Sequence, residues 1–270
     1  MYEFYGSEGT GKTELLLNLI TSMILPKEWN SLQLNGSNAG VIFIDTDYKF
    51  QILRLVNIME KRIVRTTEGK SLDIQEKTSS EEIENLVKEC LKKLMIIRCC
   101  SSFQLLVTLH SLESTISNNP DIASIMIDSI SAFYWIDRSN GGENISAQET
   151  IMKNIVEILS KLVNNYNLVL FTTKAAHFKS KNKESEKNED KWTSKEIASK
   201  GDNSASPALH KQTKDIHTEF LCKSWHKFVK HRLILQKYSK CFSIYSNSLN
   251  VDIEFSINDD GICFKKEKKV

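Results

Sequence analysis

Apolar residues along this chain keep two rhythms, and the rhythms alternate. Tyr2-Glu3-Phe4-Tyr5 alternates like a short strand and runs into Gly6. Helical spacing starts at Lys12 and passes through Leu16, Leu19, Ile20 and Met23 to a stop at Pro26. Residues 34–40 read as a loop. Val41-Ile42-Phe43-Ile44-Asp45 is a continuous apolar run ending in an acid, the form of a strand buried on both faces of a parallel sheet. Helices are predicted over 48–62, 81–93, 103–117 and 145–166, with a polar loop over 65–80. Strands are predicted over 94–99, 122–128 and 168–172. Strands alternating with helices imply a mainly parallel sheet flanked by helices.

That pattern breaks near Lys174. Residues 179–215 are rich in Lys, Glu, Ser and Asn, with too little apolar surface to offset ordering entropy, and read as a long mobile loop. A short helix over 220–230 follows, then alternating runs at 233–235, 242–245, 251–255 and 261–264. These predict antiparallel hairpins extending the sheet edge. The expected organisation is an α/β core over 1–175, a mobile polar loop over 176–215, and a C-terminal helix with antiparallel strands over 216–270 completing the same domain. A chain of 270 residues, 40% of them hydrophobic, is long enough for one such core.

The loop between the first strand and helix carries the clearest chemistry. Gly6-Ser7-Glu8-Gly9-Thr10-Gly11-Lys12-Thr13 fits G-x-x-x-x-G-K-[ST], the phosphate-cradling P-loop, in the strand–loop–helix context it requires. Its three glycines let the backbone wrap round an anion. The free N–H groups and the positive end of the new helix then face phosphate. Lys12 is expected to reach the β- and γ-phosphates, and the Thr13 hydroxyl to ligate Mg2+. Ile125-Met126-Ile127-Asp128 leads to an acid at the end of a strand, so Asp128 is expected in the Mg2+ shell, directly or through water. Asp47, in Asp45-Thr46-Asp47, is the candidate catalytic carboxylate; a solvated strand end or helix N-cap explains it equally well.

Charge narrows the reading little. Thirty-six basic against 34 acidic residues leave a net charge of +2, so a nucleic-acid site, if present, is local. Six cysteines without a C-x-x-C pair read as reduced thiols of an intracellular protein. No apolar run is long enough to span a membrane, and no leader is recognisable.

Together the P-loop, Phe43-Ile44-Asp45-Thr46-Asp47, and Ile127-Asp128-Ser129-Ile130-Ser131-Ala132-Phe133-Tyr134 resemble the RecA-like recombinases, in the order of the eukaryotic recombinases and their paralogues. The resemblance runs from Tyr2 to about Leu235 and is most specific between Asp128 and Glu143. It implies a RecA-like P-loop core binding ATP and Mg2+, and a nuclear protein, present also in the cytoplasm, that acts in homologous recombination repair of double-strand breaks. It implies docking onto other recombinase paralogues in a hetero-oligomeric complex, and contact with single-stranded or branched DNA from two loops. Residues 137–147, with Arg138, occupy the first loop; Lys174, Lys179, Lys181 and Lys183 fall at the second. A solvated insert explains the lysines too, because Glu184, Glu186, Glu189 and Asp190 nearly balance them.

Departures from the family pattern bear on mechanism. Active recombinases carry Glu where this chain has Asp47, and a γ-phosphate-sensing Gln where it has Lys174 and Ala175. The family's domain or linker ahead of the P-loop has no counterpart before Met1, so self-assembly into a filament is not expected. ATP is therefore expected as a structural or switching ligand, with hydrolysis weak or absent. The alternatives are a DNA-dependent ATPase with genuine turnover, a P-loop kinase, or a scaffold indifferent to nucleotide. A kinase lid wants arginines, and the long loop offers only lysines.

Other clusters are read as structural. Cys222, His226 and His231 lack the spacing and fourth ligand of a zinc site. Lys223, Lys227, Lys230 and Arg232, interleaved with Trp225 and Phe228, could stack on nucleic acid. An amphipathic helix burying the two rings explains them as well and is preferred. Tyr134 and Trp135 are expected in the core, and the basic tail over 265–269 is a weak import signal.

Overall fold

The computed structural model of the protein describes residues 1–67, 79–140, 145–176, 220–239 and 241–265. Strand β1 (Tyr2–Gly6) enters helix α1 (Lys12–Ile24), and a small ribbon of β2 (Glu28–Trp29) and β3 (Leu32–Gln33) precedes β4 (Gly40–Asp45). Helices α2 (Ile52–Thr67) and α3 (Ser80–Leu91), strand β5 (Leu94–Arg98), helix α4 (Ser102–Asn118) and strand β6 (Ile122–Asp128) follow. Next come α5 (Tyr134–Asn140), α6 (Ile145–Asn165) and β7 (Val169–Ala175). The C-terminal part holds α7 (Lys223–Phe228), β8 (His231–Tyr238), β9 (Cys241–Ser246), β10 (Val251–Asn258) and β11 (Gly261–Phe264).

Nine of these strands form one sheet, in the order β11-β10-β9-β8-β1-β7-β6-β4-β5. Pairing is parallel from β8 to β5 and antiparallel from β8 to β11. Side-chain alternation sorts the core into two layers. Val41, Phe43 and Met126 pack with α1, α2 and α3 on one face. Ile42, Ile44, Ile125 and Ile127 pack with α4, α6 and α7 on the other. A strand whose successive residues both meet helices must be apolar throughout, which is why β4 reads as an unbroken run. Met1–Ala176 and Phe220–Val270 make one compact unit.

Local chemistry sets several helix starts. Ser79 and Glu82 form a reciprocal capping box at α3, with Ser79 Oγ accepting from the Glu82 amide at 3.2 Å and Glu82 Oε2 from the Ser79 amide at 3.1 Å. Ser101 Oγ caps α4 by accepting from the Gln104 amide at 3.1 Å. Trp225 of α7 is fully buried and donates from Nε1 to Glu3 Oε1 at 2.6 Å, tying the C-terminal part to β1.

Several expectations need correction. The antiparallel hairpins of the C-terminal part are present, with β8 pairing antiparallel with β9, but on its other edge β8 lies parallel to β1, a pairing the alternation did not predict. After α7, which packs on the same core layer as α4 and α6, the chain re-enters the sheet in the direction of the other strands. The β2–β3 ribbon lies between Pro26 and the 34–40 loop, where no element is predicted; Asn30 and Ser31 take positive φ of 46° and 65° at its turn, a conformation open to Asn but carrying no glycine signal. α5 fills the start of the expected 137–147 loop. α2 starts four residues later than predicted, because Asp45 accepts from the Lys49 and Phe50 amides and shapes an intervening turn, and it extends to Thr67. The remainder of the 65–80 loop, nearly all of the 176–215 segment and all but the first residue of the basic tail lie outside the described residues.

Candidate nucleotide-binding site

Parallel pairing brings four strand ends to one edge. Gly6 of β1 faces Ala175 of β7, and Asp45 of β4 faces Asp128 of β6. Ligands of open α/β sheets bind outside this carboxyl edge. A cleft of about 470 Å3 opens there.

The P-loop forms one wall. A Cβ on Gly6 would come within 2.5 Å of the Leu235 carbonyl oxygen, so no larger residue fits where β1 lies against β8. Gly11 caps α1 at φ 86°, and a Cβ there would meet Ile257 Cδ1 at 2.8 Å. Thr10 is buried and braces the loop by donating to the Ser7 carbonyl at 2.8 Å. Lys12 Nζ donates to the carbonyls of Gly6 and Ser7 at 2.8 and 2.7 Å. Burial pulls the Lys12 ammonium below its ordinary pKa, with Asp128 acting against that shift.

Asp128 stands opposite, almost fully buried. Its Oδ2 accepts from Thr13 Oγ1 at 2.6 Å and its Oδ1 from the Thr173 hydroxyl. The Asp128–Ser129 peptide is cis. A carboxylate beside a threonine hydroxyl is a hard oxygen pair suited to Mg2+, which takes few protein ligands and fills its shell with water and phosphate.

Asp47 is the third acidic group. Amides of Thr46 and Asp47 donate to the Asp128 carbonyl at 2.9 and 3.3 Å, and Thr46 Oγ1 donates to the Ser129 carbonyl at 2.7 Å. These bonds fasten the end of β4 to the end of β6 and turn Asp47 into the cleft. Partial burial raises the Asp47 pKa above the usual carboxylate range, and nearby Asp128 adds to this; Lys49 and a hydrogen bond with Ser129 oppose it. Asp45 plays a different part. It is buried, and its oxygens accept from the amides of Lys49 and Phe50 at 3.2 and 3.3 Å, shaping the turn into α2.

The structure thus brings Gly6–Thr13, Asp47 and Asp128 together. Within the loop, Glu8, Gly9, Gly11, Lys12 and Thr13 line the cleft. It also adds residues that sequence reasoning missed. Lys49 lies two residues beyond Asp47 in a polar stretch without a spacing signal. Thr173 closes on Asp128. Ile257, from the last hairpin, reaches across the sheet to wall the cleft, and no local pattern marks it.

Candidate DNA-facing residues fare unevenly. Arg138 is exposed on α5, where Nη1 donates to the Tyr134 hydroxyl at 3.1 Å and the guanidinium lies 5.8 Å from the Trp135 ring centre. Lys174 is a correction. It sits in β7, wholly buried, with Nζ 5.5 Å from the Tyr5 ring centre and 4.8 Å from that of Phe220. Strand β7 continues three residues past the predicted end and carries Lys174 into the sheet interior. Lys179, Lys181 and Lys183 lie outside the described residues. Trp135 is 49% exposed, so it is not a core residue, whereas Tyr134 is half-buried against Phe220. The Cys222–His226–His231 cluster disperses: a ring nitrogen of His226 meets the Leu221 carbonyl at 2.9 Å and His231 Nδ1 meets Ser248 Oγ at 3.3 Å. No helix among the described residues is long and apolar enough to cross a membrane.

Comparison with known proteins agrees with this geometry. The sequence model of the Rad51 family matches residues 1–198. The chain is 35% identical over 276 aligned residues to the DNA repair protein XRCC2 of Mus musculus, covering 98% of this chain and 84% of that protein. It is 28% identical over 274 residues to the DNA repair protein XRCC2 homolog of Arabidopsis thaliana, covering 92% of this chain and 72% of that protein.

Proposed function

The chain belongs to the Rad51 family, and on that premise we propose that it is an ATP-binding recombinase paralogue serving DNA repair as one subunit of a mixed paralogue complex. The observation that carries the nucleotide reading is the meeting of Thr13 Oγ1 with Asp128 Oδ2 at 2.6 Å, beside Lys12, at the mouth of a cleft of about 470 Å3. Amides of the P-loop hold the phosphates, and Lys12 leaves the Gly6 and Ser7 carbonyls to neutralise them. Thr13 and Asp128 would hold Mg2+, which would supply positive charge against the phosphates.

Nucleotide acts here as a structural or switching ligand, with hydrolysis weak or absent. Asp47, which lines the cleft, is the candidate to polarise water, and it is a carbon shorter than the glutamate of active recombinases. Misplacement of about 1 Å can cost on the order of 100-fold in rate. The end of β7 presents Ala175 to the cleft, a side chain with no group to sense a γ-phosphate. Exposed Arg138, on the helix that follows β6, supports contact with single-stranded or branched DNA. The family role in homologous recombination supports a nuclear location.

Lys12→Ala is expected to abolish nucleotide binding in a direct titration. DNA-stimulated turnover of the wild type is expected to stay well below about 1 s−1, the lower end for ordinary enzymes. Brisk turnover would instead favour a working DNA-dependent ATPase. Co-purification with other recombinase paralogues tests the complex, and failure to associate with any of them would remove it.

A further inference from the structure

Resting on the nucleotide reading above, a second cation in the cleft points to how the chain tells a triphosphate from a diphosphate. Among the described residues, Lys12 and Lys49 are the cations lining the cleft, against Glu8, Glu14, Asp47 and Asp128. Glu14 is taken up by Arg54 at 3.1 Å. A triphosphate keeps net negative charge even with Mg2+ bound, and it enters a space already richer in acids than bases, so Lys12 and Mg2+ together leave room for a further cation at the far phosphate.

Lys49 is held where that phosphate needs it. Asp45, fastened under the turn, accepts from the Lys49 amide, and Tyr48 takes φ 56° to bring the chain round. The Lys49 ammonium then crosses to the P-loop, 3.0 Å from Glu8 Oε1. Both side chains are open to water, 54% and 87% exposed. Such pairs hold weakly and exchange readily. A terminal phosphate, with more charge and three acceptor oxygens, outcompetes one carboxylate for the same ammonium.

We propose that Lys49 is a specificity residue for the γ-phosphate, resting on Glu8 in the free protein and transferring its ammonium to the terminal phosphate when a nucleoside triphosphate enters. The chain would then sense the γ-phosphate from the turn after β4 rather than from the end of β7, where Ala175 stands. Opposite charges on the two partners let each be tested by itself.

The experiment measures MgATP and MgADP affinities of the full chain by calorimetry for wild type, Lys49→Met, Lys49→Arg and Glu8→Gln. Lys49→Met is expected to weaken MgATP about tenfold or more, and MgADP by less than about threefold. Lys49→Arg restores most of the preference. Glu8→Gln, which removes the competitor, tightens MgATP by about threefold. Equal losses for the two nucleotides, or no loss, would overturn the assignment while leaving the cleft as a nucleotide site. Wild-type protein that binds neither nucleotide would overturn the site reading itself. Circular dichroism of the three variants, all changed at exposed positions, guards against misfolding as the cause.

Discussion

Asp47 is a carboxylate kept under electrostatic pressure, by burial first and by Asp128 second. Its pKa in the folded chain is therefore higher than in the unfolded chain. A raised acid contributes stability while protonated and loses it as pH rises through the folded pKa. Asp47→Asn is accordingly expected to stabilise the nucleotide-free protein at pH 7. The advantage should shrink to nothing as pH falls below the unfolded carboxylate value, about 3.9, where the wild-type residue is neutral too. Urea midpoints of the two proteins across that range check this, and a variant less stable at pH 7 would contradict it. At this scale the site was partly legible. Lys12 and Thr13 are adjacent members of a contiguous loop whose backbone needs glycine at set places, so the motif shows itself. Lys49 follows in a polar turn and becomes a cleft residue only because Asp45 bends the chain there.

Among the elements, the joint between α1, α2 and the last hairpin governs the outer wall of the cleft. Arg54 of α2 grips Glu14 of α1 through Nε and Nη2, each at 3.1 Å, and donates to the carbonyls of Asn258 and Asp259 at 2.6 and 2.7 Å. Asn57 adds a bond to the Asp259 carbonyl at 2.8 Å. Both charged partners are about three-quarters buried, so truncation leaves polar groups unpaired. Arg54→Ala is expected to cost about 1–3 kcal/mol. It should expose the β10–β11 hairpin to protease and weaken nucleotide binding, because Ile257 rides on that hairpin. Unchanged proteolysis would show that the hairpin is held by its strand pairing alone. Element existence was readable from periodicity for each strand of the main sheet. Strand direction was not: β8 has the same alternation whether it lies parallel or antiparallel to its neighbour, since period-two burial is identical in both.

For the molecule as a whole, a ligand that binds only the folded chain must stabilise it. At a concentration 100 times its dissociation constant, MgATP is expected to add about 2.7 kcal/mol, or roughly 5–10 °C in melting temperature for a domain of this size. The rise should vanish in Lys12→Ala. A flat response in the wild type would favour a scaffold whose P-loop serves the fold alone. The amino-acid sequence by itself determined the phosphate loop, the alternation of buried strands and helices, and the acid at the end of β6. Each is written in neighbouring residues, through backbone freedom at glycine, side-chain period and a strand's last position. Only the tertiary structure decided that Thr13 meets Asp128 across 115 positions, that Lys174 turns inward, that Lys49 bridges to Glu8, and that a strand near the C-terminus walls the cleft. Those contacts follow from strand order and direction, which many folds consistent with one hydrophobic pattern could satisfy differently.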